Sequence, residues 1–125
     1  MNNSNQKKKR VFPTNPHGPL YVTVNEVYSN TKIQNQMRRQ IQINFNGPWH
    51  KWEAIPRNDV LHMFNCWKVF YCYDTQHHQK IWKEFHKVGS GYLRRNFYKQ
   101  RKLPSVPRFR WVPQSAWDSM KVHWV

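Results

Sequence analysis

His78-Gln79-Lys80-Ile81-Trp82-Lys83-Glu84-Phe85-His86-Lys87-Val88-Gly89-Ser90-Gly91-Tyr92-Leu93-Arg94-Arg95-Asn96-Phe97-Tyr98-Lys99-Gln100-Arg101-Lys102 is the stretch whose periodicity decides the fold. Ile81, Phe85, Val88 and Tyr92 recur at i, i+4, i+7 and i+11, a spacing that gathers them on one side of a helix. At about 100° per residue, Lys80, Lys83, Lys87, Arg94 and Arg101 fall in a separate sector about 60° wide, well over about 90° from the apolar one. One face can therefore pack while another carries charge. Gly89 and Gly91 oppose this reading. Each costs about 1 kcal/mol relative to Ala inside a helix, so a kink or break is expected there.

Two further helices are predicted on the N-terminal side. Val60, Phe64, Trp67 and Tyr71 repeat the same spacing, with Asp59 placed to cap the helix or to favour its positive end. Ile33, Met37 and Ile41 recur every fourth residue behind Asn30, an N-cap candidate, and Asn46-Gly47-Pro48 ends that helix. Trp49 and Trp52 lie in a short connection closed by Pro56. Leu20, Val22 and Val24 alternate with Tyr21 and Thr23, which points to a short strand without an obvious partner.

On the C-terminal side, Pro104 and Pro107 make residues 103–110 a connector. Pro113 suits the first turn of a last helix, on which Trp117, Met120 and Trp124 share a face. Such a short helix is held by docking its tryptophans. The expected architecture is all-α, a small bundle of three or four helices over residues 20–125. Phe64, Trp67, Phe85, Trp117 and Trp124 form its structural core. Residues 1–19, with Pro13, Pro16, Gly18 and Pro19 and little to bury, are expected to be a disordered basic arm.

Charge narrows the choice of partner. The 125 residues hold 21 Lys and Arg against 6 Asp and Glu, a formal net charge of +15, which calls for a polyanion. So much charge often means disorder. Here 7 Trp, 6 Tyr and 7 Phe supply enough area for an ordered core. The longest apolar run, Val69 to Tyr73, is far too short for a membrane span, and the polar Asn2-Asn3-Ser4-Asn5-Gln6 is no leader. Two cysteines suit a reducing compartment. Lys7-Lys8-Lys9-Arg10 is a compact basic run of the nuclear-localisation kind, although such runs also occur as plain solvated charge.

Chemistry beyond charge finds little support. Cys66, Cys72, His77 and His78 are spaced C-x5-C-x4-H-H, unlike the usual zinc patterns, and on one helix the two cysteines would sit about 240° apart. No metal or other cofactor is expected. Glu26, Glu53, Asp59, Asp74, Glu84 and Asp118 are scattered, whereas metal-dependent strand cutting needs clustered carboxylates. No catalytic residue is assigned. Trp67, Trp117 and Trp124 have core spacing; Trp49, Trp52 and Trp111 flank loops and could alternatively stack on unpaired bases.

The segment from Phe45 to Trp124 resembles a family. Phe45-Asn46-Gly47-Pro48-Trp49-His50-Lys51-Trp52 is similar to its F-x-G-P-x-x-x-W opening, followed by Ile55-Pro56. Trp67 with Phe70-Tyr71 is similar to its W-x-x-F…Y helix, and Phe85, Leu93-Arg94, Phe97 and Arg101-Lys102 to its F…LRxxF…ARK helix. Trp111-Val112-Pro113, Trp117 and Trp124 are similar to its W-[IV]-P-x-x-x-W…W close. The family is the plant transposase family of CACTA (En/Spm, Ptta-type) transposable elements. The resemblance implies a transposon-encoded or transposon-derived nuclear protein acting on element DNA. The family domain continues past its last Trp, so residues 20–125 are expected to be a shortened copy.

The sequence thus leads to a non-catalytic, nuclear DNA-binding protein. Lys80, Lys83, Lys87, Arg94, Arg95, Arg101 and Lys102 are its expected phosphate contacts. Duplex DNA, such as transposon ends, is the expected partner, alongside other transposon-encoded proteins or a second copy. Neither a membrane nor a small-molecule substrate is expected. The alternatives are a Trp-rich protein–protein interaction module and a single-stranded nucleic acid or RNA binder.

Overall fold

Asn30 sets the register of the N-terminal half. Its side chain accepts from the Lys32 and Ile33 backbone N–H groups at 2.9 and 3.3 Å and starts helix α2, Thr31–Ile43. The same residue closes a shorter helix, α1, Val24–Ser29. Thr23 Oγ1 accepts from Glu26 N at 3.2 Å while Glu26 Oε1 accepts from Thr23 N at 2.8 Å, a reciprocal capping box. The short strand expected within residues 20–29 is therefore confined to β1, Leu20–Tyr21, and the box turns the chain into a helix at Val24.

The computed structural model describes residues 11–102 and 107–124. Among these, the order is β1, α1, α2, α3 (Arg57–Trp67), β2 (Tyr71–Cys72), α4 (His78–Lys102) and α5 (Gln114–Lys121), with short 3-10 turns at Trp52–Ala54, Thr75–His77 and Val122–Trp124. The mostly α-helical class agrees with the sequence. The small parallel pairing of Leu20 with Tyr71 and Tyr21 with Cys72 is an addition to it. α3 stops at Trp67, so Tyr71 joins the core from β2 and not from a fourth helical turn. Pro56 occupies the N-cap position of α3 and Asp59 lies in its first turn, where it favours the positive end without capping it.

α4 runs unbroken through Gly89 and Gly91. The expected break is absent, and the position of Gly89 is closely approached by a neighbour. A β-carbon there would lie 2.8 Å from Trp52 Cε3 and closer still to Cζ3 and Cη2. The missing side chain lets an indole cross the helix, and that contact replaces the lost propensity. Gly91 is different: its nearest neighbour would be the Arg95 guanidinium tip at 3.4 Å.

α4 is packed along its whole length. Toward its start, Phe64 meets Phe85 at 5.2 Å, Trp82 at 5.0 Å and Trp67 at 5.7 Å between ring centroids. Toward its end, Phe97 meets Trp124 at 5.3 Å, and Trp124 meets Trp117 at 5.4 Å. Phe64, Trp67, Phe85, Trp117 and Trp124 are all buried, but Trp124 reaches the core from the 3-10 turn after α5 and not from that helix. α2 lies beside α4: Gln34 Nε2 donates to Glu84 Oε2 at 3.1 Å, and Gln42 Nε2 donates to Tyr92 Oη. Residues 11–19 of the expected arm touch the body. Asn15 Nδ2 donates to Val69 O at 3.0 Å, and Phe12 lies 4.9 Å from His62. Lys7, Lys8, Lys9 and Arg10 fall outside the described residues.

Candidate nucleic-acid interface

Lys80, Lys83, Lys87, Arg94 and Arg101 are all exposed on α4, opposite its buried side. The unbroken helix keeps them in register, at a rise of about 1.5 Å per residue and a span of about 30 Å. They do not form a uniform stripe. Lys80, Lys83 and Lys87 line an open depression between α4 and α1, shared with Tyr28 and Glu84. Glu84, the acid on this face, accepts from Gln34.

Arg94 and Arg101 belong to a second depression, of about 210 Å³, with His50, Lys51, Glu53 and Ser90. Arg94 Nη2 donates to Ser90 Oγ at 3.2 Å, and Arg101 Nη2 donates to the Arg94 carbonyl at 3.3 Å. Arg95 and Lys102 are also exposed, but neither lines either depression. The Lys102 ammonium sits over the Tyr98 ring at 5.6 Å.

His50 stacks on His123 at 3.9 Å between centroids and 5° between planes. Burial first, then the charges of His123, Lys51 and Arg101, hold its pKa below the ordinary 6.5. His50, Lys51 and His123 carry no periodic signal and come together only when α5 returns to the loop before Trp52. No local pattern of residues points to them. Trp49 and Trp52 are buried, at 5 and 6 % exposure, which removes them as stacking platforms for bases. Trp111 is half-buried between Phe45 and Phe109.

His86 forms a second constrained imidazole. Its Nδ1 accepts from Trp52 Nε1–H at 3.0 Å, so protonation there would set two donors against each other. Burial and the Arg57 charge push its pKa down. His86 and His50 are thus both harder to protonate in the fold than when unfolded. Their stabilisation is present above the unfolded value of 6.5 and is lost as pH falls below it through the folded values. The urea midpoint should drop between about pH 7 and pH 5, above the carboxylate range, and His86→Gln should blunt that drop. A midpoint constant over this interval would contradict the assignment.

Cys66 is buried on α3, with Sγ 3.5 Å from His62 Nε2, while Cys72 lies in β2 and His78 Nδ1 meets Tyr73 Oη at 2.7 Å. Among the described residues no three His, Cys, Asp or Glu side chains gather as a metal site. No helix among them is long and apolar enough to cross a membrane. Compared with known proteins, the chain matches no family model, no curated protein and no solved structure.

Proposed function

We propose that the chain is a non-catalytic DNA-binding protein that contacts phosphates through the exposed face of α4. The observation that carries this reading is the unbroken α4, which holds five exposed cations in one register with only Glu84 among them. Lys80, Lys83 and Lys87 make the N-terminal half of the contact, Arg94 and Arg101 the C-terminal half, with Arg95 and Lys102 at its border. Lys7 to Arg10 serve nuclear entry, and the motifs from Phe45 to Trp124 make a plant CACTA-type transposon the source of the chain. Few acids oppose the cations, so a solvated face is the weaker explanation.

Fluorescence anisotropy with a short duplex over a range of salt concentrations tests this. Five neutralised phosphates give a slope of log affinity on log salt of about −4 to −5. The Arg94→Gln, Arg101→Gln double variant should flatten it by about two units with helix content unchanged. A folded double variant with the parent's affinity and slope would make the face an ordinary solvated one.

A further inference from the structure

The depression between α4 and the loop before Trp52 is more than part of a charged face. It is concave, with a volume of about 210 Å³. Lys51, Arg94 and Arg101 open into it, and Glu53 is the acid among its lining residues. Both guanidinium groups are already oriented, Arg94 by Ser90 Oγ and Arg101 by the Arg94 carbonyl. Both acceptors are neutral, so Glu53 is the one carboxylate set against three cations there.

We propose that this depression is a phosphate-binding site in which Lys51, Arg94, Arg101 and the Ser90 hydroxyl hold the anion and His50 joins them as a donor. Arg and Lys supply charge-assisted hydrogen bonds to phosphate oxygens, and two fixed guanidinium groups add direction. The face-to-face His50–His123 stack fits the same purpose. Two imidazoles 3.9 Å apart repel when both are charged, and an anion beside them relieves that repulsion. The groups facing His50 are His123 from the turn after α5, Lys51 next to it in sequence, Arg101 and Arg94 from α4, and Glu53 from the following turn. Their balance is positive, so the bound anion and the protonated ring stabilise each other.

The site deepens the DNA-binding reading by giving one backbone phosphate a defined seat; its phosphate chemistry stands without that reading. The two sources of the anion are a phosphodiester backbone and a free phosphate.

Nuclear magnetic resonance of the His50 and His123 ring protons separates these cases. Sodium phosphate should shift both saturably, with half-saturation in the millimolar range, while sodium chloride at equal ionic strength should not. Lys51→Gln should weaken phosphate binding about tenfold, as expected for one charge-assisted hydrogen bond. Lys32→Gln, an exposed change on α2, should leave it unaltered. Sulfate, whose charge is constant over the range, should raise the His50 titration midpoint. A duplex that moves the same two resonances and competes with phosphate identifies the backbone as the source. A duplex that binds without moving them leaves the site to free phosphate. Unsaturable shifts equal to those in chloride, or an unchanged affinity in Lys51→Gln, overturn the site. If the duplex salt slope persists in that event, the DNA-binding reading survives alone. Saturable phosphate binding with no duplex binding is the reverse result.

Discussion

Trp67→Ala is expected to remove about 3–5 kcal/mol of stability and to leave much of the chain unfolded at room temperature. Trp67 is fully buried, stacked on Phe64 at 5.7 Å and tilted against Tyr71 at 5.4 Å. Its indole Nε1–H donates to the Ile33 carbonyl at 3.2 Å, tying α3 to the first turn of α2. Truncation opens a cavity and also strips a buried carbonyl of that donor, and the two losses add. Trp67→Phe retains most of the area and loses the hydrogen bond, so it should cost about 1–3 kcal/mol. Urea denaturation followed by circular dichroism measures both. If Trp67→Ala lost less than about 1 kcal/mol, Trp67 would not be central to the core.

Gly89→Ala and Gly91→Ala should act in opposite directions, although the two glycines share one helix. Each replacement gains about 1 kcal/mol of helix propensity. At Gly91 the new methyl meets a movable guanidinium at 3.4 Å, so the gain is kept and the thermal midpoint should rise by a few degrees. At Gly89 the methyl must displace the Trp52 ring, a buried group hydrogen-bonded to His86. Overpacking of this kind costs about 1–3 kcal/mol and outweighs the propensity gain. The displacement would also shift Lys51, the neighbour of Trp52, so phosphate affinity should fall with stability in Gly89→Ala and hold in Gly91→Ala. Equal stabilisation of both variants would show that Trp52 does not lie across the helix.

These two residues also mark where sequence reasoning ends. Periodicity and capping are local. Asn30 with Ile33, Met37 and Ile41 was enough to place α2, and the repeats around Phe64 and Phe85 placed α3 and α4. The alternation of Leu20, Val22 and Val24 points to a strand, and the capping box that Thr23 and Glu26 form in the fold overrides it beyond Tyr21. Gly89 reads as a helix breaker until Trp52 is known to cross it. The cations of α4 could be read from its helical period. Their division into two depressions depends on α1 and on the loop carrying His50 and Lys51, neither of which contributes to that period.

The partnership of α2 with α4 has a consequence for how the chain is made. Gln34 with Glu84 and Gln42 with Tyr92 each join residues 50 apart in sequence. During synthesis at about 5–20 residues per second, α2 waits about 3–10 seconds for its partner. Through that interval α2 has α3 but not α4 beside it, and the loops that must close are long ones. The nascent chain therefore passes through a stage in which the α4 side of α2 is open to chaperones or to other chains, and slowing of elongation before Lys102 would lengthen it.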